Sequence, residues 1–374
     1  MSEQPDEELA LIGALVGDQA AAWDVAGELP PELLRKLGAS GLLCAETPPA
    51  FGGLGVSSLR SGEITAYAGS LCSSLRSIMT SHGMAAWTIM RFGDRGQRRE
   101  LLADLTSGKL AAVAFSEPAA GSDLSAITTQ VSPSPGGRVI LNGEKMWVTG
   151  AQYADYLIVL ARQGGQDDGT GAVLAVPASA PGVQIEAIAA PLGCRAAGHA
   201  NVRFDGVQLP AASVLGGGGH PLPLIFTTAL TYGRISIAWG CVGITRACLS
   251  AAAGHARERR QSGKPIAQHQ LIAKHLAEIT IAEQISTRVC EYASACWDSA
   301  SPEVGVATVL AKHVSAGHAA RSASAAVQVL GSAGARDGHV VARAYRDAKV
   351  MEIIEGSNEI SQLILADHAL STVK

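Results

Sequence analysis

Ser132-Pro-Ser-Pro-Gly-Gly-Arg-Val-Ile-Leu-Asn-Gly143 reads as turn, apolar run and turn. The prolines and glycines before Arg138 bar regular structure. Arg138 to Leu141 has the composition of a short strand, and Asn142-Gly143 is a hairpin signal. Similar runs surround it: Ala111 to Phe115, Ala126 to Val131, Tyr156 to Ala161, Gly171 to Val176 and Val202 to Phe204. Gly/Pro/Asn/Asp turns separate them, with no helical pattern between. The spacing predicts an antiparallel sandwich or barrel, not βαβ units.

Working outward from this stretch, the pattern is helical on both sides. Upstream, Leu9, Ile12, Leu15 and Val16 recur at helix spacing, and Pro30-Pro31-Glu32 opens a second helix through Leu37. Glu46 to Gly55 is a Pro- and Gly-rich loop. Ser57 to Tyr67, Ser73 to Arg91 and Arg95 to Thr106 are further helices. Downstream, Leu222 to Glu258, Gln268 to Trp297, Pro302 to Leu330, Val340 to Met351 and Glu359 to Leu370 suit an up-and-down bundle of long helices. Gly216 to Gly219 follows no G-x-G-x-x-G strand and precedes no Walker lysine, so it reads as a hinge rather than a phosphate cradle. The expected class is α+β, with a helical domain at 1–109, a β-domain at 110–217 and a four-helix bundle at 218–374.

The 374 residues suffice for two or three domains and a sizeable core. Net charge of −4 leaves no basic footprint for nucleic acid. The longest apolar stretches are interrupted by Gly, Pro or charge short of a membrane span, and no basic-plus-apolar leader precedes Leu9. The seven cysteines are scattered without C-x-x-C, and the ten histidines include no H-E-x-x-H, so neither a disulfide framework nor a metal site is expected. A reducing cytoplasm is the default.

The chemistry concentrates in Tyr345-Arg-Asp-Ala-Lys-Val-Met-Glu-Ile-Ile-Glu-Gly-Ser-Asn-Glu-Ile-Ser361. A carboxylate at Glu355, beside Gly356 and among aliphatic side chains, is poorly solvated. Its pKa should rise toward the range of a general base. The alternative is an exposed last residue of a helix. Ser357 and Asn358 are candidate caps for the helix that follows. Phe115-Ser-Glu-Pro-Ala-Ala-Gly-Ser-Asp123 leaves a strand and turns at Pro118 and Gly121, exposing backbone N–H groups and the Ser122 hydroxyl. A plain loop with an Asx turn at Asp123 explains it equally well in isolation.

Together with Asn142-Gly-Glu-Lys-Met-Trp-Val-Thr149-Gly150, however, these segments resemble the signatures of the acyl-CoA dehydrogenases, in family order and across the whole chain. The resemblance implies FAD. Phe115, Ser116, Gly121 and Ser122 would lie along the flavin and the substrate's phosphopantetheine. Trp147 would cover the isoalloxazine ring and Thr149 would bond its edge. Arg259 and Gln270, from Arg259-Arg-Gln-Ser-Gly-Lys-Pro-Ile-Ala-Gln-His-Gln270, would reach pyrophosphate and adenine across a subunit interface. In that segment Ser262 stands where Phe is usual. Gln328, Gly331 and Ser332 would cover the pyrophosphate from a second subunit, which implies a homodimer or homotetramer. Ser357 and Glu359 are assigned to the cofactor by the same resemblance, and Ser122, Arg234 and Gly356 to the substrate.

Glu355 would take the α-proton of an acyl thioester while flavin takes a hydride, later passed to an electron acceptor. Ile354 replaces a frequent Tyr and aromatics are few, which favours a short or polar acyl group. The overall look is similar to acyl-CoA dehydrogenase-like enzymes of polyketide pathways, which oxidise a hydroxymalonyl-type unit on acyl carrier protein. A short- or medium-chain acyl-CoA dehydrogenase of catabolism is the alternative. A flavin monooxygenase or oxidase on the same fold would usually lack Glu355.

Overall fold

The structure, a computed structural model, describes residues 6–164 and 169–372. Six helices lead the chain: α1 (Glu7–Val16), α2 (Ala20–Ala26), α3 (Pro31–Ala39), α4 (Ser58–Leu71), α5 (Ser73–Phe92) and α6 (Arg95–Thr106). Their starts follow local chemistry. Ser57 caps α4 by accepting from the Arg60 N–H, and α6 opens on a capping box between Asp94 and Gln97.

Strands follow: β1 (Ala111–Ala114), β2 (Gln130–Ser134), β3 (Arg138–Val148), β4 (Tyr156–Gln163), β5 (Thr170–Pro177), β6 (Val183–Ala187), β7 (Ala200–Pro210) and β8 (His220–Pro221). They form one sheet in the order β6-β7-β3-β2-β4-β5-β8, with β1 beside β4. Most pairings are antiparallel, but β4 runs parallel to both β1 and β2, so the sheet is mixed. Alternate residues such as Leu141, Leu157, Val159, Leu174, Val202 and Phe204 build its core.

Two sequence expectations change here. Asn142-Gly143 is not a hairpin. It lies inside β3, where the register against β7 shifts between Leu141 and Gly143. Gly143 sits at φ 146°, and a side chain there would collide with Thr129. The glycine serves a bulge and a close strand contact instead of a turn. Ala126 belongs to a short 3-10 turn rather than to β2.

The C-terminal helices are α7 (Leu222–Glu258), α8 (Gln270–Asp298), α9 (Val304–Leu330), α10 (Val340–Met351) and α11 (Asn358–Thr372). Between α7 and α8, the two-residue strands β9 (Arg260–Gln261) and β10 (Lys264–Pro265) form a hairpin absent from the sequence reading. Ser262 and Gly263 turn it at φ 51° and 79°.

Against the sequence expectation, α7 is long and apolar enough to cross a membrane, with 72% of its most apolar window buried inside the molecule. It is enclosed by α4, α5, α8 and α9. Trp239 is fully buried and seats against Gly62 of α4, where a side chain would collide with the indole. Helix α5 in turn packs on α7 with one face and on β1 with the other. Ser81 accepts from the Val113 N–H and His82 Nδ1 from the Ala111 N–H. That arrangement brings the end of α10, the start of α7 and the edge of the sheet around one face of α5.

Candidate active site

Glu355 sits past the end of α10 with φ 56°, and Gly356 follows at φ 88°. A non-glycine residue in left-handed backbone is strained and persists where the surroundings hold it. Two buried cations do so here. Arg234 Nε donates to the Glu355 carbonyl at 3.2 Å, and Lys312 Nζ donates to the Gly356 carbonyl at 2.7 Å and the Glu352 carbonyl at 3.4 Å. Ser357 accepts from the Ile360 N–H, fixing the start of α11.

The turn points the carboxylate inward. Glu355 Oε2 is shut off from solvent and has no hydrogen-bond partner among the described residues. It lies against Gly233, so closely that a Cβ there would collide with it and with Met84 Sδ. Burial pushes the Glu355 carboxyl up to about 7, against the pull of Arg234, Lys312 and Arg76. A buried, unpaired carboxyl that is half-ionised near neutrality can accept a proton from carbon or hydroxyl. The rest of the charged cluster is structural. Arg346 pairs with Asp24 of α2 at 2.5 Å, and Asp347 accepts from the Cys194 N–H at 2.6 Å. These contacts anchor α10 to the rest of the molecule.

The second group of sequence candidates gathers at the sheet edge. The Ser116 carbonyl accepts from the Met146 N–H at 2.9 Å, joining the two signature segments. The register against β7 shifts between Lys145 and Val148, and Trp147 within that bulge has φ 56°. The bulge turns the indole outward, 56% exposed, with its edge toward His199. Thr149 Oγ1 is 3.2 Å from His199 Nδ1, and its carbonyl accepts from Ser81 of α5. Gly121 and Ser122 are exposed, and Asp123 makes the Asx turn with Ser125. An exposed indole face beside a hydroxyl and a loop of small residues suits a flat ring system.

Beneath this edge lies a buried ion pair that the sequence reading passed over, although both residues stood inside its motifs. Lys145 Nζ meets Glu117 Oε1 at 2.7 Å and donates to the Phe115 carbonyl at 2.9 Å. Both side chains are almost completely buried. Glu117 also accepts from the Thr128 and Thr129 N–H groups. Burial alone would raise its carboxyl, but the Lys145 charge and these bonds hold it well below the usual range. The signal was available: an acidic residue just past β1 and a basic one inside β3 stand within the two motifs that fold together.

The remaining candidates lie elsewhere. Arg259 and Gln270 flank the β9–β10 hairpin, exposed and without side-chain hydrogen bonds among the described residues, as are Gln328 and Ser332 at the end of α9, beside Gly331. A free guanidinium and free amides at the surface fit the phosphate and base end of a dinucleotide. Ser262 occupies a left-handed turn position. Glu359, in the first turn of α11, is exposed, and hydrogen bonding by Ser357 lowers its carboxyl.

Residues 11–109, 112–207 and 224–370 match the acyl-CoA dehydrogenase N-terminal, middle and C-terminal domains. The chain is 33% identical over 362 residues to the probable acyl-CoA dehydrogenase YngJ of Bacillus subtilis, covering 95% of this chain and 94% of that protein. It is 31% identical over 359 residues to the human mitochondrial short-chain specific acyl-CoA dehydrogenase, covering 95% and 86%. Among solved structures it superposes on FkbI, described as serving biosynthesis of the methoxymalonyl extender unit of the polyketide FK520. The TM-score is 0.93 at 56% identity, over 98% of this chain and 100% of that one. Members of this group are FAD-dependent flavoproteins. The exposed Trp147, the Thr149 hydroxyl and the free surface donors fit that cofactor, and the chain belongs to the acyl-CoA dehydrogenase family of FAD-dependent dehydrogenases.

Proposed function

We propose that this enzyme oxidises a short, polar acyl thioester, a hydroxymalonyl-type unit on acyl carrier protein, in polyketide extender-unit synthesis. The observation that carries the mechanism is the Glu355 carboxylate, unpaired and buried against Gly233 on a strained turn. Likeness to FkbI at 56% identity supports the substrate class.

Trp147 and Thr149 would hold FAD, which would supply the acceptor for a hydride. Glu355 removes the accompanying proton, from the α-carbon or its hydroxyl, so that the substrate loses one proton and one hydride. The Glu355 N–H polarises the thioester carbonyl. Arg234 and Lys312 hold the turn's carbonyls, so the carboxylate does not need to reorganise during proton transfer. Trp147 keeps water from one face of the ring, and Arg259, Gln270, Gln328 and Ser332 hold the cofactor's far end.

The last role calls for a second copy of the chain. Helix α8 supports one: Leu271, Ile281, Ile285 and Tyr292 are exposed along it, with Leu271 at 76%. A homodimer or homotetramer would cover such a stripe, and a separate acceptor would be needed to return the cofactor to its oxidised form.

Anaerobic flavin bleaching tests the reading, with short and medium acyl-CoAs and carrier-bound hydroxymalonyl as substrates. Bleaching by the carrier-bound hydroxy acid alone, lost in Glu355→Gln, is expected. Bleaching by plain acyl-CoAs alone would make the enzyme an ordinary short-chain dehydrogenase. Undiminished bleaching by Glu355→Gln would remove Glu355 as the base.

A further inference from the structure

Among the described residues, one completely buried guanidinium has no ion-pair partner. Arg76 of α5 is completely buried, at 0% exposure, yet forms no ion pair among the described residues. One end nitrogen of its guanidinium donates to Thr80 Oγ1 at 3.3 Å, and the other rests 2.9 Å from Met351 Sδ. Its Nε has no partner among the described residues. A guanidinium carries five donors and stays charged at any working pH. A hydroxyl and a thioether leave most of those donors empty, and a buried charge without a partner is disfavoured unless something else neutralises it.

The position of Arg76 relates it to Glu355. Arg76, Thr80 and Met84 lie at successive turns of one face of α5. Across from them on α7 stand Gly240, Ser236 and Gly233. Gly240 lets the guanidinium approach, since a Cβ there would come 2.5 Å from Arg76 Cδ and 2.7 Å from Nε. Thr80 and Ser236 share a hydrogen bond of 2.8 Å. Met84 Sδ and the Glu355 carboxylate both lie beside Gly233, and the Arg76 charge is itself felt at Glu355. Met351, at the guanidinium, is four residues before Glu355 in the chain. From the base inward, the two helices therefore present a small residue, a pair of hydroxyls and then a free cation.

The opposite direction along α5 has the opposite character. Past Met84, a cavity of about 270 Å³ is lined by Ala86, Trp87, Met90, Glu46, Trp297 and Asp298. Burial raises the Glu46 carboxyl to about 7, and the nearby Asp298 carboxylate adds to that. An anionic group is disfavoured on that side and favoured on the Arg76 side.

We propose that Arg76 is a specificity-determining residue: its guanidinium receives a carboxylate at the far end of a short acyl thioester, with Thr80 and Ser236 giving or taking hydrogen bonds beside it. The inference rests on the reading of Glu355 as the base of a thioester dehydrogenase, and names the class of acyl group, one ending in an acid, that the same site takes. Binding here is non-covalent, and the carboxylate supplies the missing charge.

Butyryl and succinyl thioesters test this directly, because both have four carbons and differ in a methyl against a carboxylate end. Each is offered to the holoenzyme on CoA and on carrier protein, and anaerobic flavin bleaching is followed by stopped flow. The unaltered enzyme should bleach at least tenfold faster with succinyl than with butyryl at equal low concentration. In Arg76→Met the succinyl-to-butyryl ratio should fall at least a hundredfold, with Arg76→Lys intermediate. A ratio unchanged in Arg76→Met, with flavin retained, would overturn the proposal. If Arg76→Met fails to hold flavin, the unaltered enzyme decides alone: equal rates on both thioesters would overturn it. Bleaching by carrier-bound hydroxymalonyl but by neither of these thioesters would overturn the proposal, and bleaching by none of the three would instead sink the dehydrogenase reading on which it rests.

Discussion

At the scale of single residues, the proposed role of Glu355 makes a prediction about pH. Its carboxyl is raised to about 7 mainly by burial, so the ionised base is scarce in acid and accumulates as pH rises. The rate of flavin reduction should therefore climb through a midpoint near 7 and then level, measured by stopped flow between pH 5 and 9 with bound substrate. A limb centred on the ordinary carboxylate range, near 4.5, would mean that the base is another group. The stability effect has the opposite sign. A carboxyl raised on folding favours the folded state fully below its unfolded pKa, and that contribution is lost as pH rises through about 7.

Gly233 offers a separate check at this scale. It is helical, so alanine suits its backbone, but the added methyl would strike Glu355 Oε2. Gly233→Ala should lower the rate of flavin reduction by about a hundredfold, as expected for an ångström-scale displacement of a reacting group. Flavin content and melting should stay near those of the parent. Undiminished reduction would mean that the carboxylate works from elsewhere.

At the scale of elements, the β1 loop and strand β3 are fastened by Lys145 and Glu117 beneath the flavin edge. Removing one partner of a buried pair leaves the other charge uncompensated, at a cost of about 3–5 kcal/mol. Lys145→Met should destabilise the protein by roughly that amount in urea unfolding at fixed FAD. Adding Glu117→Gln should recover part of the loss, because the lone charge is then gone. If the single and double variants unfolded alike, the pair would not be the fastening. The β9–β10 hairpin shows how an element can explain a departure at one residue. Ser262 stands at a left-handed turn position, where the backbone requirement outweighs side-chain bulk.

At the scale of the whole molecule, the proposed cofactor residues lie in distant parts of the chain: some at the sheet edge, the others at the α7–α8 connection and the end of α9. In the proposed arrangement a second copy covers the exposed apolar stripe on α8. Ile281→Glu together with Ile285→Glu should shift sedimentation toward monomer and weaken FAD retention in parallel. A dissociated enzyme that kept FAD as tightly as the parent would show that each chain holds its cofactor alone.

The sequence by itself determined the order helix, strand, helix, because the apolar period switches from 3.6 to 2 residues near Leu110 and back near Leu222. It marked Glu355 as a candidate too, by its place between an apolar run and a glycine, while an exposed helix end stayed open until the fold enclosed Oε2. Only the tertiary structure decided that Asn142-Gly143 is a bulge, since the contact requiring it comes from Thr129 on another segment. It also decided that α7 is enclosed by its neighbours, and that Lys312 and Arg234 grip the Glu355 turn from 43 and 121 residues away. Arg76 is the sharpest case. In the sequence it is one arginine on a helix, and the absence of any counter-charge exists only once α4, α5, α7 and α10 have closed around it. Periodicity and turn chemistry are local, and so are legible in order along the chain; solvation and charge balance depend on every group that folding brings near.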